Sequence, residues 1–350
     1  MSCSIKDVAR RAGVSVGTVS RVINGYENIA PERIDAVREA IRVLGYRKNS
    51  VAQLLAGRRG DSRLRTGNIG LWMVEMGNEW SSNSVYVNYL TGIEEVCARR
   101  GCHVLLEHSC AADEIPRCVR EGKVDGVIVK AVNEIPPVLN DLSGKIPVIG
   151  LSMLERELPI AQVSTDNQRA GEEVCRYLWE RGHRRIAFVS RDNHHRMFLA
   201  RLHGYEVFLR ARNAFDPELV QCFSPVSDPR EPEKTFPDMS GMLDTLLRLP
   251  EPPTAVIAAN DWMAAGLYEA AEHRNLRIPE DISVIGFDHL ANLFLRPRLT
   301  SYEIPMRGMG SAAAEWIIDL VEHGISVEEP TFRMINGTIA VHDSVKDKTT

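Results

Sequence analysis

The sequence predicts an all-α helix-turn-helix domain and a further short helix at the N-terminus, followed by an α/β body of two lobes with parallel sheets. Three short helical patterns fill the first 48 residues, and short apolar runs alternate with amphipathic stretches from residue 67 onward. Residues 1–66 hold 13 Lys+Arg against 6 Asp+Glu, a net charge of +7; the other 284 residues hold 29 against 41, a net charge of −12. A basic head on an acidic body is typical of a nucleic-acid-binding module attached to a second domain.

The first two helices are separated by a tight turn. Ser4 and Asp7 have the spacing of a capping box at the start of the first helix, residues 5–12. Gly13 ends this helix, since glycine adopts the left-handed cap conformation without strain. Ser15 then serves as the N-cap of a second helix, residues 16–23.

A third helix begins at Pro31 and ends before Gly45, with apolar residues recurring three or four positions apart. Two short helices joined by a glycine turn and braced by a third predict a helix-turn-helix whose second helix enters a DNA major groove. Periodicity alone leaves open any other small three-helix bundle. Residues 49–57 are a candidate for a short apolar helix, too short to be stable alone, and the alternative is an interdomain linker with a helical preference. A basic linker follows over residues 58–66.

Near-continuous apolar strands separated by helices predict parallel sheets covered on both faces, in two lobes that divide near residues 163–166. The strand candidates are residues 69–74, 104–107, 126–130, 148–151, 186–190, 255–259 and 282–287, and the helix candidates are residues 85–100, 171–181, 197–214, 239–249, 263–274 and 308–323. Ligands collect beyond the carboxyl ends of such strands. Asp166, Asn260, Asp261 and Asp288 stand there, each with the alternative of a helix cap or turn residue.

Specific motifs run through the whole chain. Residues 5–15 and 18–24 resemble the N-terminal signature of the LacI/GalR family of bacterial transcription regulators, and the resemblance continues in residues 45–56, 182–188, 201–205 and 278–288. It implies a DNA-binding domain over residues 1–48, a hinge helix over 49–57, a linker over 58–66, and a periplasmic-binding-protein-like effector-binding and dimerisation domain over 67–345. It also implies a homodimeric repressor, pseudopalindromic double-stranded operator DNA as one partner, and a small-molecule effector as the other.

The resemblance assigns the DNA contacts to the second helix and to a leucine wedge in the hinge: Ser15, Val16, Gly17, Thr18, Ser20, Arg21, Asn24 and Leu55. Val16 and Gly17 depart from the richer side chains of some relatives, since valine makes only apolar contacts and glycine has no side chain. Arg21, which can donate two parallel hydrogen bonds, is therefore the main candidate for reading bases.

The effector contacts implied by the resemblance are polar side chains and two pocket-wall residues: Asp166, Arg201, Phe236, Asn260, Asp288 and Met306. Carboxylates accept from hydroxyl groups and arginine donates through a fixed fork, so this set fits a sugar or sugar derivative. A nucleobase remains the alternative effector. Residues 74–80 and the pair Asp288-His289 depart from the family pattern where ligand identity is set.

No enzyme, cofactor or metal site is expected. The segment 308–313 is a partial Gly-x-Gly-x-x-Ala pattern, which keeps open an NAD-binding or other metabolic enzyme fused to a DNA-binding head. His194 and His195 are interpreted as an exposed loop pair. A sugar-binding transport receptor would need a signal peptide, and neither a signal sequence nor an apolar run of membrane-spanning length is present. The expected location is the cytoplasm, with no membrane partner.

Overall fold

The computed structural model describes residues 5–23, 29–44, 66–74, 84–109, 115–131, 135–222, 238–290 and 293–349. The chain divides into two compact units, residues 1–66 and 67–350. Within the described ranges, no helix combines the length and the apolar character needed to cross a membrane. The predicted hinge helix and almost all of the linker lie outside the described residues, as does Ser4 of the predicted capping box.

The first unit contains three helices, α1 (Ile5–Ala12), α2 (Val16–Ile23) and α3 (Pro31–Leu44), at the positions that the apolar spacing predicts. Gly13, at φ 64°, makes the turn between α1 and α2. All three helices contribute to one small core, formed by Val8, Ala9, Val19, Val37 and Ala40. Val19 attaches α2 to this core, so the other side of α2 lies on the surface of the unit.

The second unit alternates strands and helices. In chain order it contains β1 (Asn68–Val74), α4 (Ser84–Arg99), β2 (His103–Ser109), α5 (Arg117–Arg120), β3 (Gly126–Ala131), α6 (Leu139–Ser143), β4 (Val148–Leu151), β5 (Ala161–Ser164), α7 (Asn167–Glu180), β6 (Ile186–Ser190), α8 (Arg196–Arg210), β7 (Val220–Cys222), α9 (Ser240–Leu247), β8 (Ala255–Ala258), α10 (Asp261–Glu272), β9 (Ser283–Phe287), β10 (Thr300–Glu303), α11 (Met306–His323), β11 (Thr331–Met334) and β12 (Thr338–Ala340). A single 3₁₀ turn, Pro217–Leu219, precedes β7.

The strands form two six-stranded sheets, one in each lobe. The first has the order β11-β5-β4-β3-β1-β2 and is parallel throughout. The second has the order β12-β10-β9-β8-β6-β7 and is parallel except at one edge, where β12 runs antiparallel to β10. The prediction of parallel sheets is confirmed, and the one antiparallel pairing involves a strand that the sequence analysis did not predict. The chain enters β12 directly from the cleft, where the carboxyl ends of the other strands lie, so this strand has to run in the opposite direction.

The chain crosses between the lobes three times, at residues 165–166, 304–305 and 335–337. The first crossing lies where the sequence predicts the division between the lobes, but α11 and β11 then return to the first lobe. The first and third crossings are hydrogen-bonded to each other. Thr165 Oγ1 donates to the carbonyl of Ile335 over 2.7 Å, and the Asp166 amide donates to Asn336 Oδ1 over 3.1 Å.

Glycines allow helices to pack closely in the first lobe. A Cβ at Gly310 of α11 would overlap the backbone carbonyl of Tyr89 in α4, whereas Gly308 faces open space. The partial Gly-x-Gly-x-x-Ala pattern therefore lies inside a helix, where Gly310 serves helix packing. It does not form the strand-to-helix turn that cradles a dinucleotide phosphate.

Candidate functional site

The outer surface of α2 presents the side chains predicted to contact DNA. Val16 is 41% exposed, Gly17 and Arg21 are exposed, and Thr18 and Ser20 are half-buried. No carboxylate among the described residues forms an ion pair with Arg21, and the residue is exposed. Asn24 and Leu55, the other two predicted contacts, lie outside the described residues.

Ser15 has a structural role in addition to its predicted DNA contact. Its Oγ accepts a hydrogen bond from the Thr18 amide over 3.1 Å and lies 3.0 Å from Thr18 Oγ1. This is the N-cap predicted from the sequence, and it fixes the first turn of α2. Exposed N–H groups and hydroxyls at the start of a helix suit contact with a phosphate oxygen.

Arg201 lies beyond the carboxyl ends of β8 and β9, on the side of the second lobe where the chain crosses to the first, and is only 3% exposed. Its Nε donates to Asn167 Oδ1 over 2.9 Å, its Nη1 donates to the carbonyl of Ala259 over 2.6 Å, and its Nη2 lies 3.4 Å from Asp288 Oδ1. The guanidinium also lies 4.5 Å from the ring centroid of Phe287. Two of the predicted effector residues, Arg201 and Asp288, are thus brought together as a buried ion pair.

Asp288 stands in a strained turn after β9, with a φ of 101° that side chains rarely adopt. Its amide donates to the carbonyl of Tyr302 over 2.8 Å. Burial raises the pKa of Asp288, and the positive charge of Arg201 opposes this rise. Such a carboxylate, held between a cation and a cleft, is a suitable acceptor for ligand hydroxyl groups.

A second buried acid, Asp261, supports this turn from behind. Its Oδ2 accepts from the Leu290 amide over 2.9 Å and its Oδ1 accepts from Ser301 Oγ over 2.7 Å. The same Ser301 hydroxyl accepts from the His289 amide over 3.0 Å. Burial, and next the negative charge of Asp288, raise the pKa of Asp261 to about 8, so its carboxyl is largely protonated at neutral pH.

Asp166 and Asn260 act as helix N-caps, which is the alternative role that the sequence analysis gives for them. Asp166 Oδ1 accepts from the Arg169 amide at the start of α7, and Asn260 Oδ1 accepts from the Met263 amide at the start of α10, each over 2.9 Å. Their effector contacts stay a prediction. Met306 is buried at the first position of α11, and Phe236 lies outside the described residues.

The first lobe contributes residues that the sequence analysis missed. Tyr89 Oη lies 2.9 Å from Ser152 Oγ, which in turn lies 3.6 Å from Met197 Sδ of the second lobe. Burial, and next the charge of Asp288, raise the pKa of Tyr86 to about 12, which places Tyr86 near the same carboxylate. Tyr86 and Tyr89 are three residues apart on α4, so they share one face of that helix, and this spacing is a signal that could have identified them.

Lys130 and His195 were also missed as cleft residues. Lys130, at the carboxyl end of β3, is 3% exposed, and a single charge within an otherwise apolar strand is the sequence signal for it. His195 is half-buried and stacks on Phe198 with 3.8 Å between ring centroids. The interpretation of His194 and His195 as an exposed loop pair is therefore wrong for His195, because its aromatic neighbour on the next turn covers the ring.

The described residues contain no group of three or more His, Cys, Asp or Glu side chains placed to hold a metal ion.

His289 is a position where the sequence departs from the family pattern. Its Nε2 lies 3.4 Å from Nε2 of His342, and its Nδ1 lies 3.6 Å from Glu303. The cleft offers hydroxyl, amide, carboxyl and cationic groups for binding a polar ligand, arranged around the Arg201–Asp288 pair.

Comparison with known proteins matches both units. Residues 4–49 match the bacterial regulatory proteins of the lacI family, and residues 175–345 match a periplasmic binding protein-like domain. Catabolite control protein A of Priestia megaterium is 31% identical over 326 residues, which cover 89% of this chain and 91% of that protein. The HTH-type transcriptional repressor PurR of Vibrio atlanticus (strain LGP32) is 30% identical over 331 residues, which cover 91% of this chain and 92% of that protein.

Solved structures share the fold over nearly the whole chain. The transcriptional regulator CelR in complex with cellobiose matches with a TM-score of 0.66 and 26% identity, covering 98% of this chain and 99% of that one. The lac repressor dimer bound to operator and the anti-inducer ONPF matches with a TM-score of 0.78 and 21% identity, covering 99% and 100%. The predicted fold class, a helix-turn-helix head on a two-lobed α/β body, is confirmed.

Proposed function

Because this chain belongs to the lacI family of bacterial regulatory proteins, we propose that it is a homodimeric repressor whose affinity for a pseudopalindromic operator is controlled by a sugar or sugar derivative. Membership of the family makes it a DNA-binding transcriptional regulator with an effector-binding domain. Its relatives are regulators of transcription, so an enzyme fused to a DNA-binding head is not favoured. The proposed location is the cytoplasm, and no cofactor takes part.

The observation that carries the effector proposal is the buried Arg201–Asp288 pair in the cleft. Burying two charges is costly unless their polar atoms are satisfied. Arg201 is satisfied by three protein groups, whereas the only side chain that donates to Asp288 among the described residues is Arg201. A carboxylate has room for several donors, so ligand hydroxyl groups can complete its hydrogen bonding.

A carbohydrate is favoured over a nucleobase for two reasons. The groups around Asp288 include tyrosine, serine and arginine side chains, which suit a ligand with many hydroxyl groups. The structurally similar regulator CelR is known in complex with cellobiose, a sugar. A nucleobase remains the second candidate, because an arginine, a carboxylate and aromatic rings also suit a planar heterocycle.

The proposal is tested with Asp288→Asn in the full-length protein. An operator duplex is first selected from genomic fragments, and its affinity is then measured by fluorescence anisotropy with and without sugars, sugar derivatives and nucleobases. We expect Asp288→Asn to bind the operator as the wild type does, but to need at least about tenfold more ligand for the same response, since a hydrogen bond to a charged group contributes about 1.5–3 kcal/mol. Asp141→Asn, an exposed acid on α6, is the control.

A normal ligand response from Asp288→Asn would contradict the assignment of the cleft as the effector-binding site. A response to nucleobases but not to sugars would replace the favoured effector by the second candidate. Binding to DNA fragments without any sequence preference would contradict the proposed operator function.

A further inference from the structure

Two histidines from distant parts of the chain face each other in the second lobe. His289 lies in the turn after β9, and His342 lies two residues after the end of β12. Their Nε2 atoms are 3.4 Å apart, and their ring centroids are 5.5 Å apart. An N–H donor usually lies about 2.7–3.2 Å from its acceptor, so a direct hydrogen bond between these two rings is long and weak.

The spacing of the two nitrogens fits two ligands of one metal ion. Bonds from zinc to an imidazole nitrogen are about 2.0–2.1 Å long. Two such bonds that end 3.4 Å apart enclose an angle of about 110° at the metal, which is close to tetrahedral. The two Nε2 atoms therefore already have the separation that a tetrahedral ion requires.

Glu303 faces the other nitrogen of the His289 ring. One of its carboxylate oxygens, Oε2, lies 3.6 Å from Nδ1 of His289. A carboxylate beside Nδ1 favours the tautomer with the proton on that nitrogen, which leaves the lone pair of Nε2 free. Histidine ligands of metal ions usually have such a carboxylate or carbonyl behind them, because it orients the ring and makes it more basic.

Strand β10 fixes the backbone of both histidines. The His289 amide donates to Ser301 Oγ over 3.0 Å, and the His342 amide donates to Thr300 Oγ1 over 2.9 Å. Thr300 and Ser301 are adjacent residues and are both buried, and Glu303 is the last residue of the same strand. A metal site needs ligands that are held in position before the ion binds, and these two buried hydroxyl groups provide that support.

The charged neighbours of the pair include two acids and one arginine. Glu303 lies beside His289, whereas Arg298 and Asp343 act electrostatically on His342 in opposite directions. A bound cation would therefore have a carboxylate near each of its two ligands, and Asp343 would offset the repulsion from Arg298.

We infer that His289 and His342 form a binding site for a late first-row transition metal ion, and that Glu303 orients the His289 ring. Imidazole nitrogens suit zinc, copper and nickel, whereas Mg²⁺ and Ca²⁺ prefer oxygen ligands. Most zinc sites have three or four protein ligands, so water or a small ligand completes the coordination here. The site goes beyond the proposed function, which needs no metal ion.

The first test is a calorimetric titration of Zn²⁺ into the full-length protein, prepared without a histidine tag and freed of metal with a chelator. We expect a Zn²⁺ ion to bind in the wild type, and His289→Gln and His342→Gln each to lose this binding. Glu303→Gln should weaken it by about 10- to 100-fold, since that is the usual effect of removing a supporting carboxylate. His203→Gln, which replaces an exposed histidine on α8, is the control and should bind as the wild type does. Excess Mg²⁺ should not compete.

The second test measures the unfolding temperature with and without Zn²⁺. The two histidines are 53 residues apart in sequence, so the unfolded chain does not hold them together. A ligand that binds only the folded state raises the unfolding temperature by mass action. Zn²⁺ should raise it in the wild type and in His203→Gln, but in neither His289→Gln nor His342→Gln. A histidine with only a structural role would change this temperature equally with and without Zn²⁺.

The position of the ion is measured by anomalous diffraction at the zinc edge from crystals soaked in Zn²⁺. We expect a zinc peak about 2.0–2.1 Å from the Nε2 atoms of both His289 and His342. The inference is overturned if the wild type binds no Zn²⁺, if both histidine variants bind it unchanged, or if the zinc peak is not bonded to both rings. None of these measurements uses DNA or the effector, so a failure of the proposed function would leave them unaffected.

Discussion

Asp261 supports the turn that carries Asp288, although it is not part of that turn. Its two oxygens accept from Leu290 and Ser301, and Ser301 in turn accepts from His289. Leu290 and β10 are thereby tied directly to one buried carboxyl, and His289 is tied to it through Ser301. Since Asp288 stands at an unfavourable φ, a fixed support behind it is needed to keep its side chain toward Arg201.

The raised pKa of Asp261 predicts a pH-dependent stability. Its pKa is about 8 in the folded protein, against an ordinary value near 4 in the unfolded chain. Between these values the folded state keeps a proton that the unfolded state has released, so this group lowers the free energy of unfolding as the pH rises. We expect the stability of the wild type relative to Asp261→Asn to fall from pH 5 to pH 8, by up to about 1.4 kcal/mol per pH unit.

Urea unfolding at four pH values measures this difference. Asp141→Asn, which replaces an exposed acid, is the control and is measured at the same pH values. A difference between wild type and Asp261→Asn that stays constant across the range would show that Asp261 is ionised in the folded protein.

Arg21 is expected to carry most of the sequence discrimination, because Val16 and Gly17 offer no polar side chain. A bidentate contact to a base contributes about 1–3 kcal/mol. Arg21→Ala should therefore reduce the preference for operator over scrambled duplex by about ten- to a hundredfold, and leave weak, salt-sensitive binding. Arg38→Ala, an exposed arginine on α3, should preserve the preference in the same anisotropy titration. Unchanged discrimination in Arg21→Ala would refute this role.

Residue patterns predicted part of the cleft. Arg201 and Asp288 were expected at the site and form its central pair. Lys130 and His195 were not, because their importance depends on burial. A lysine in a strand and a histidine in a loop become neighbours only when β3 and the start of α8, 60 residues apart or more, are brought together by the fold.

The close packing of helices α4 and α11 depends on the absence of a side chain at Gly310. Gly310 admits the backbone of α4, whereas Gly308 on the same helix faces open space. Gly310→Ala should lower the free energy of unfolding by about 1–3 kcal/mol, because the added methyl group forces the helices apart. Gly308→Ala should have no effect or stabilise by up to about 1 kcal/mol, because alanine favours helix. Urea unfolding measures both, and equal effects would contradict the close packing of α4 on α11.

The seven strands predicted from the sequence are all present, but β5, β7, β10, β11 and β12 were not predicted. These five have only three or four residues each, and several are polar or exposed, as in Thr331–Met334. Such short strands contain too few alternating or apolar positions for local periodicity to indicate them. Helices α7 and α10 begin earlier than predicted, because Asp166 and Asn260 cap them.

For the whole molecule, we expect a homodimer, because two operator half-sites need two heads. Residues 341–349 do not form a helix, and they pack on the second sheet, where Ser344 Oγ donates to the carbonyl of Val284 over 2.6 Å. No coiled-coil tetramer is therefore expected from this segment. Sedimentation equilibrium should give twice the mass of one chain, and a tetramer would contradict the expectation.

The three crossings between the lobes also determine the order in which the lobes can be completed during translation. The first lobe has β1 to β5 early in the chain, but Ile317 of α11, which covers Gly126 of β3, and the edge strand β11 are made only after residues 167–303. One apolar face of the first sheet is therefore still exposed when it emerges from the ribosome, because the helix that covers it has not yet been made. Uncovered sheets aggregate readily, so we expect the nascent chain to need protection by chaperones. The lobe that is synthesised first is completed only after most of the second lobe has been made.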